Sequence, residues 1–581
     1  MSAAHIDPLT LATVWHSFQN ICREMRHVLD RTCQNYLIGQ LHDFSVGIWD
    51  ATGRTVAIPI GLSVQYMGGK LSVEYVLNKF KGNLRPGDVI LVNDPYHGHC
   101  CHLPDWGFYR PIFYKGELLF WTLCRAHQMD TGGAYPGGYF PNGYDIHAEG
   151  LAIPGIKVME EDREREDVME LILNNVRWPQ GTRIDNYAQI ASIRLCEQRI
   201  IALLDKYGKE TVLACIEEMM DRTERAVRAT IASIPDGTYY GEAATDDDGT
   251  ELDVPVWVRV EVTVKGDTLK FDFSKSDKQR KGFVNSIYNS TYANALMGAF
   301  MFMDPELGEY HNEGSLRPIT VEAPPGLVVS AQYPATVGAS PVSVGTQILQ
   351  AVMNAMSTAM PERAIASWGM RNGHYIFGLD PRSKERYVVT TFDMDGGTGA
   401  VRGFDGHEGP CGLGSLGTVN KGNVEELEAR FPWKYKRWEF VTDSGGTGKW
   451  RGGSGMHWEV ENEGGEAGIA TGSSDGEIVR GPGALGGEPT RNNRASLVRE
   501  GETTPVRGHR LYQLKRGDTI LKLTGGGAGV GNPAERDPQA VLFDVANGFV
   551  SVETARDVYK VAIDPDGRRV LDEETSALRR Q

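Results

Sequence analysis

The chain has 581 residues, 41% of them hydrophobic and 23% charged, a composition typical of a soluble globular protein with more than one core. Its formal net charge of −16, without a local basic cluster, argues against binding to nucleic acid or to an anionic membrane. No apolar run approaches the roughly 20 residues that span a bilayer, and MSAAHIDPLT does not resemble a signal peptide, so we expect a cytoplasmic protein.

The N-terminal segment predicts a long helix and then a hairpin. Asp7-Pro8 can cap and start a helix, and apolar residues recur at three- and four-residue spacing from Leu11 to Leu29. We expect this helix to fade near Asn35. Alternating apolar residues from Phe44 onward, with a turn at residues 50–53, indicate the hairpin.

A helix at residues 62–80 and a buried strand at Val89–Val92 are predicted next. They lead into Asn93–Asp130, where four histidines, three cysteines and several aspartates are concentrated. Within this segment, PIFYKGELLFWTLC predicts two strands around a Lys115-Gly116 turn. Such a hairpin would carry the two ligand-rich ends back side by side.

The rest of the chain changes from helical to sheet-rich. A glycine-rich loop with ordered aromatic residues follows Asp130, and two helices from about 186 to 234 are expected to meet at Gly208. Valines alternate with polar residues from Val256 to Val264, which predicts an antiparallel hairpin. Helices at 287–302 and 344–359, a glycine-rich β region and two short C-terminal helices complete the prediction.

This order of elements predicts an α+β fold rather than a doubly wound sheet. We expect a catalytic module over residues 5–530, with its metal-site region at about 40–150. A C-terminal helical segment would cover residues 531–581. The eight cysteines have no CxxC pair and no regular spacing, so we expect reduced thiols rather than a disulfide framework.

Two imidazoles and one carboxylate, from His102-x-x-Asp105 and the distal His127, make a candidate metal site. Catalytic metal sites commonly take three protein ligands and leave a position for water or substrate. The ligand set suits zinc, manganese or iron alike. The alternative is that these are surface-loop histidines near a turn. His99 and Asp130 flank the motif as further candidates, whereas Cys100 and Cys101 are better explained as buried thiols.

No nucleotide site is evident in the glycine-rich strings. In SGGTGKW a tryptophan, Trp450, stands where a phosphate-binding loop needs serine or threonine, and LTGGGAGVGNP runs into Pro533 rather than into a helix. We interpret both strings as tight turns at strand ends. No GxSxG elbow between a predicted strand and a predicted helix is evident either, so a serine hydrolase is not favoured.

Six sequence blocks, running from the first hairpin to the C-terminus, together resemble one known family. They are HDFSVGIWDATGR, NDPYHGHCCHLPDW, RAHQMDTGG, EGLAIPGIKV, DSGGTGKWRGGSG and GNPAERDPQAVLFDVANGFVSVETARDVY. These blocks resemble the hydantoinase B/oxoprolinase family, whose members belong to ATP-dependent hydantoinases, 5-oxoprolinases and caprolactamase, and to acetone and acetophenone carboxylases.

The resemblance implies a partner of the hydantoinase A type, which binds ATP-Mg. It also implies that His102, Asp105 and His127 bind a divalent metal ion, with Asp43 as a fourth ligand or a nearby acid. Bicarbonate is an alternative carrier of the phosphate. The sequence departs from the family at Gln65 and Gln128, where histidine is common, and at residues 98–101.

Three functions follow as hypotheses. The first is ATP-dependent hydrolysis of a cyclic amide such as a lactam, a hydantoin or an oxoproline-like ring, with Asp43, Asp130 and His99 as the candidate catalytic residues. The second is ATP-dependent carboxylation of a ketone. The third is a scaffold that only docks the ATPase partner, which the complete set of three metal ligands argues against.

Overall fold

The computed structural model describes residues 6–58, 62–305, 307, 310–391, 395–410 and 412–580. Residues 1–5, on which the signal-peptide expectation rests, and Cys411 lie outside this part of the chain. The helices are Pro8–Thr32 (α1), Tyr36–Gly39 (α2), Ser63–Met67 (α3), Gly69–Lys79 (α4), Glu166–Leu173 (α5), Pro179–Tyr207 (α6), Lys209–Ala232 (α7), Tyr288–Phe300 (α8), Glu313–Leu316 (α9), Val344–Ala359 (α10), Val424–Arg430 (α11), Pro538–Ala546 (α12), Val552–Asp557 (α13) and Asp572–Leu578 (α14).

The strands assemble into four sheets, and the mixture with helices confirms the predicted α+β fold. They are Phe44–Asp50 (β1), Thr55–Ala57 (β2), Val89–Val92 (β3), Asp105–Tyr114 (β4), Glu117–His127 (β5), Ile156–Glu160 (β6), Arg163–Glu164 (β7), Gly237–Thr245 (β8), Val256–Lys265 (β9), Thr268–Asp272 (β10), Ile319–Glu322 (β11), Asn372–Leu379 (β12), Arg386–Thr391 (β13), Trp433–Phe440 (β14), Met456–Asn462 (β15), Ala467–Ser474 (β16), Arg494–Arg499 (β17), Glu502–Pro505 (β18), Leu511–Leu514 (β19) and Thr519–Leu523 (β20).

The first sheet holds seven strands in the order β2-β1-β5-β4-β3-β6-β7, all antiparallel. Its central hairpin, β4 and β5, turns at Lys115-Gly116 as predicted, because both residues adopt positive φ. Side chains that alternate along the strands belong to two different apolar clusters: Phe108 packs with α1 and α6, whereas Tyr109 packs toward the centre of the molecule. Both faces of the sheet are therefore buried.

The second sheet, in the order β11-β10-β9-β8, supports the centre of the molecule. Along β9 the predicted alternation is present, with the five valines buried and the residues between them partly exposed. Helix α10 lies on β8 so closely that a side chain at Gly241 would meet the Ala351 carbonyl oxygen at 2.0 Å. This packing joins the second sheet to α10.

The C-terminal half contains two antiparallel sheets, in the orders β13-β12-β16-β19 and β14-β15-β20-β17-β18. The same half contains a glycine-rich layer, formed by residues 396–399, 445–455, 481–487 and 525–531. A side chain at Gly527 would meet the Thr398 carbonyl oxygen at 1.8 Å, and one at Gly452 would meet that of Gly527 at 1.9 Å. The interpretation of both glycine strings as tight turns was therefore incomplete, since many of these glycines allow backbone to pack on backbone.

Two boundaries differ from the sequence prediction. Helix α6 begins at Pro179 rather than near residue 186. The sequence prediction placed the start too late because the first turns of the helix are polar and carry no clear apolar period. The predicted helix 62–80 is divided at Gly68, where a Cβ would meet the Asn289 side chain at 2.0 Å. A close approach of α8 thus explains the break.

The segment after residue 531 has a small apolar cluster of its own, which includes Val541, Tyr559 and Val561. It also pairs with the preceding half of the chain, since Arg536 and Asp544 form ion pairs with Asp405 and Arg451. The division into residues 5–530 and 531–581 stays a prediction. Among the described helices, none is long and apolar enough to cross a membrane.

Candidate metal centre

The hairpin of the first sheet brings the three predicted metal ligands to one point. Asp105 is the first residue of β4 and His127 is the last residue of β5, and the two are direct partners in the strand register. His102 lies in the turn just before β4. The candidate ligand atoms of these three side chains all lie within 4.8 Å of one another. Within the described ranges, no other group of three His, Cys, Asp or Glu side chains meets this criterion.

The three side chains are almost fully buried and face each other closely. His102 Nε2 lies 3.1 Å from Asp105 Oδ1, and His127 Nδ1 lies 3.4 Å from the same oxygen. The other ring nitrogen of His102, Nδ1, is 2.7 Å from the Gly338 carbonyl oxygen. A carbonyl partner of this kind fixes the tautomer and orientation of a metal-binding imidazole.

These residues fit a divalent cation. His127 Nε2 is buried and has no hydrogen-bond partner among the described atoms, although buried polar atoms are normally satisfied. Two imidazole nitrogens and one carboxylate oxygen are a common donor set for zinc, manganese and iron. The alternative, that these are surface-loop histidines, does not agree with their burial.

Asp43 and Gln65 complete the polar side of the site. Asp43 immediately precedes β1, its carbonyl oxygen accepts a hydrogen bond from the His127 backbone N–H, and its Oδ2 lies 3.8 Å from His127 Nδ1. Gln65 Nε2 donates to Asp43 Oδ1 at 3.0 Å and to Asp105 Oδ1 at 3.2 Å. Gln65 therefore bridges the two carboxylates.

Electrostatics set the two carboxylates apart. Burial raises the pKa of Asp43 to about 6, and this effect exceeds the opposing effect of the His127 imidazole. Burial also acts to raise the pKa of Asp105, but the two imidazoles outweigh it and hold this pKa well below its usual range. Burial would lower the pKa of His102, yet the Asp105 carboxylate raises it overall. Asp105 is thus the anionic centre of the site.

A buried glutamate supports His102 through the backbone and was not identified from the sequence. Glu149 accepts hydrogen bonds from the Val337 and Gly338 backbone N–H groups, at 2.8 and 2.9 Å, and from the Thr336 hydroxyl. It thereby holds the turn whose carbonyl oxygen contacts His102. Burial raises the pKa of Glu149 to about 7. The signal available in the sequence was its place at the start of the EGLAIPGIKV block.

Asp130 is buried but holds a loop. Its carboxylate accepts hydrogen bonds from the backbone N–H groups of Gly132, Gly137 and Arg177, and it pairs with the Arg177 guanidinium at 2.9 Å. It does not line the cavity at the candidate metal ligands. A catalytic role for Asp130 stays a prediction.

His99 and the neighbouring cysteines do not line that cavity either. The carbonyl oxygen of His99 accepts hydrogen bonds from Ser72 and Asn289, and its imidazole lies edge-on to Tyr75. Cys100 and Cys101 donate weak hydrogen bonds to backbone carbonyl oxygens, and burial raises the pKa of Cys100 to about 12. Both cysteines therefore agree with the expectation of buried thiols, while the catalytic role of His99 stays a prediction.

A cavity of about 50 Å³ opens in front of the three candidate ligands. Part of its wall comes from segments far along the chain, including Arg371 and Tyr375, which the sequence did not suggest. From the glycine-rich loop after Asp130, Tyr139 lines the cavity as expected and stacks on Tyr375 at 3.8 Å, whereas Tyr144 is exposed. The apolar part of the wall is formed by Leu62, Val64, Pro341, Val342, Leu413 and Val419.

Comparison with known proteins identifies the family. The model of the hydantoinase B/oxoprolinase family matches residues 7–533. The chain belongs to this family. The resemblance inferred from the six sequence blocks is thereby confirmed over most of its length.

Individual relatives support this placement. The beta chain of the caprolactamase of Pseudomonas jessenii is 34% identical over 583 residues, with 98% of both chains covered. A protein of Pseudomonas sp. strain NS671, provisionally described as the B-type component of a D-/L-hydantoinase, is 30% identical, with 99% of this chain and 98% of that protein covered.

Solved structures show the same fold. The crystal structure of the ATP-dependent caprolactamase from Pseudomonas jessenii matches with a TM-score of 0.90 at 33% identity, and all of both chains is covered. A nucleotide-free acetone carboxylase also matches with a TM-score of 0.90, with 99% of this chain and 83% of that chain covered. At 20% identity, the second match shows the fold alone.

Proposed function

We propose that this chain is the metal-binding component of an ATP-dependent hydrolase complex that opens a cyclic amide. The observation that carries the proposal is the buried group of His102, Asp105 and His127 at the wall of a cavity. The relatives support the choice of reaction, because one is part of a caprolactamase and another is described as part of a hydantoinase.

In this proposal His102, Asp105 and His127 hold one divalent cation, for which zinc and manganese are the first candidates and iron the next. Such an ion polarises a carbonyl group and lowers the pKa of bound water to near ~7. Gly338 and Glu149 keep the His102 imidazole in its orientation, and Gln65 links the Asp43 and Asp105 carboxylates. The protein thus holds the donor set in place before the ligand enters.

Asp43 is the residue that we assign to proton transfer. It lines the cavity, and its Oδ2 faces the candidate metal ligands without belonging to that group of three. A buried carboxylate in this position can accept a proton from water and return it to the leaving nitrogen. Asp130 and His99, which do not line the cavity, have no role in the proposed reaction.

Activation of the amide is assigned to a second chain. An unstrained amide carbonyl is a poor electrophile, so attachment of phosphate to the ligand, directly or through bicarbonate, would make the ring easier to open. The sequence shows no phosphate-binding loop of its own, and the relative in Pseudomonas jessenii is named as one of the chains of its enzyme. We therefore propose a hydantoinase A-type partner that binds ATP-Mg, in a hetero-oligomer.

The test is turnover by the complex with a hydantoinase A-type protein from the same genome. ATP-dependent ring opening of caprolactam, hydantoin or 5-oxoproline is expected, and His102→Ala should abolish both bound metal and turnover. His147→Ala, which changes an exposed histidine, is the matched control. If His102→Ala retains metal and ATP-coupled turnover, the proposal fails.

Labelled bicarbonate separates hydrolysis from ketone carboxylation, the reaction of the structural relative acetone carboxylase. In a hydrolase the label stays out of the final product, even where bicarbonate carries the phosphate. Stable incorporation of the labelled carbon into product, with acetone or acetophenone as substrate, would replace hydrolysis by carboxylation.

A further inference from the structure

The cavity at the candidate metal centre is small. A volume of about 50 Å³ holds only a few water molecules. A cyclic amide, with its ring of carbon atoms and a nitrogen, is several times larger than a water molecule. The space in front of His102, Asp105 and His127 is therefore too small to hold a whole ring by itself.

A larger cleft, of about 470 Å³, lies beside this cavity. Its volume falls in the range of about 300–1,000 Å³ that is usual for small-molecule sites. Three segments of the chain pass from the cavity to the cleft within two or three residues. In each segment one residue lines the cavity and the other lines the cleft, and the pairs are His127 and Met129, Tyr139 and Pro136, and Tyr375 and Phe377.

The segment 136–139 forms a partition between the two spaces. A Cβ at Gly137 would lie 3.0 Å from Val388 Cγ1, in the cleft wall, and 3.5 Å from Tyr375 Cδ1, in the cavity wall. The Gly137 backbone N–H donates to Asp130 Oδ1 at 3.1 Å, so the Asp130 carboxylate helps to hold the partition in place. A ring that passes from the cleft to the metal ligands must displace this segment.

The wall of the cleft is largely apolar. The Phe377 ring meets the Tyr135 ring edge-on, with the ring centroids 5.2 Å apart, so the aromatic surface is supported from the glycine-rich loop. Apolar and aromatic side chains in the wall are Met129, Trp178, Phe377, Leu379, Tyr387 and Val388. Such a wall favours a ligand with apolar surface, because burial of that surface removes it from water.

The charged groups of the cleft are paired or exposed. Asp130 and Arg177 form an ion pair at 2.9 Å, whereas Arg386 and Glu466 are exposed to solvent. The cleft thus suits an uncharged ligand, since removing a charge from water is costly unless the charge is paired. Gln513, exposed at the same wall, carries the N–H donors and the carbonyl acceptor that an amide group can match.

We propose that this cleft is the site at which an uncharged cyclic amide first binds, and that the ring reaches the metal centre when segment 136–139 moves aside. The choice of a cyclic amide rests on the proposed function. The position of the site rests on the size of the cleft, on its apolar wall and on the partition that it shares with the cavity.

The experiment blocks the cleft after the protein has folded. Leu379 lines the cleft and is 50% exposed, so Leu379→Cys can be labelled with a pyrene maleimide on the folded chain. Saturation-transfer NMR then measures binding of caprolactam and of 2-pyrrolidone to the full chain, without ATP or partner. We expect saturation transfer to both rings for the unlabelled variant and its loss after labelling.

The matched control carries the same label on another exposed leucine. Leu485 is 49% exposed and lines a different groove, so labelled Leu485→Cys should bind both rings as the unlabelled chain does. Thermal denaturation of the two labelled proteins checks that both remain folded.

Three results would overturn the inference: no saturation transfer with the unlabelled chain, equal transfer before and after labelling at residue 379, or an equal loss with both labels. Turnover by the complex separates this inference from the proposed function. Ring opening that continues with a labelled, still-binding Leu379→Cys chain would leave the proposed function standing without this site. Binding that the label at residue 379 alone removes, without any ring opening by the complex, would leave the site standing without the proposed function.

Discussion

The cavity at the candidate metal centre and the glycine-rich layer are packed in opposite ways. At the cavity the protein buries ionisable side chains and surrounds them with partners, as with Asp105 between His102 and His127. In the glycine-rich layer many positions carry no side chain, so that carbonyl oxygens occupy the space that a Cβ would need, as at Gly527 and Gly452. The first region is built from buried ionisable groups, whereas the second is built mainly from backbone packed on backbone.

The two regions also satisfy their polar groups differently. In the glycine-rich layer, backbone bonds do so: the Gly527 N–H donates to the Gly453 carbonyl oxygen at 2.9 Å, and the Gly446 N–H donates to that of Gly527 at 2.7 Å. At the cavity, His127 Nε2 lacks a partner among the described atoms. We expect the glycine-rich layer, whose backbone groups bond to one another, to tolerate no added atoms. The cavity, in contrast, has room and a polar atom for a ligand.

The largest expected effect is therefore on the fold, from one methyl group in the glycine-rich layer. Gly527→Ala places a Cβ at 1.8 Å from the Thr398 carbonyl oxygen and should cost more than about 3 kcal/mol, because backbone cannot move aside as a side chain can. Thermal denaturation measures the loss. Gly465→Ala, whose Cβ would meet nothing within 4 Å, is the control and should be close to neutral. Equal stability of the two variants would contradict this account.

The next prediction distinguishes the proposed metal-ligand carboxylate of Asp105 from the structural carboxylate of Asp130. Asp105→Asn should lower zinc affinity by about 10³-fold, because one of three ligands is lost, and should leave the apo protein folded. Asp130→Asn should leave metal content unchanged but cost about 3 kcal/mol of stability, since Arg177 loses its buried partner. Metal analysis and thermal denaturation of both variants check this. Loss of metal from Asp130→Asn instead would show that Asp130 belongs to the site.

The smallest expected effect is a pH dependence of the free energy of unfolding, and it comes from Glu149 near the cavity. The pKa of Glu149 rises from its ordinary 4.5 to about 7 on folding, so between these values the folded protein holds a proton that the unfolded chain has released. The free energy of unfolding should fall as the pH rises through this window, by about 3 kcal/mol at most, and level off above it.

Glu149→Gln should remove this part of the pH dependence, because an amide does not titrate in this range. Its oxygen can still accept hydrogen bonds from the Val337 and Gly338 N–H groups. Denaturation midpoints of wild type and variant at pH 4.5 and pH 8 measure the difference. Identical pH dependence in the two proteins would mean that Glu149 does not hold the extra proton.

Local features of the sequence were sufficient for the hairpin and its turn. The Lys115-Gly116 turn sets the pairing next to it, and an irregularity between Ile112 and Phe113 then shifts the register by one residue, which places Asp105 opposite His127. The alternation along β9 and the apolar period of α1 were equally local, and both elements are present as predicted. Hydrogen bonds between near neighbours and a fixed side-chain period make such features readable from sequence.

Only the tertiary structure decided which distant segments contribute to the cavity and which groups the Asp130 carboxylate bonds. The carbonyl oxygen that contacts His102 Nδ1 belongs to Gly338, 236 residues away in the sequence, and Arg371 comes from a segment that carries no motif. Asp130 repeats the HxxD spacing, yet a loop and Arg177 occupy its carboxylate. Which distant segments meet depends on how two buried faces of one sheet are covered, and no short pattern records that choice.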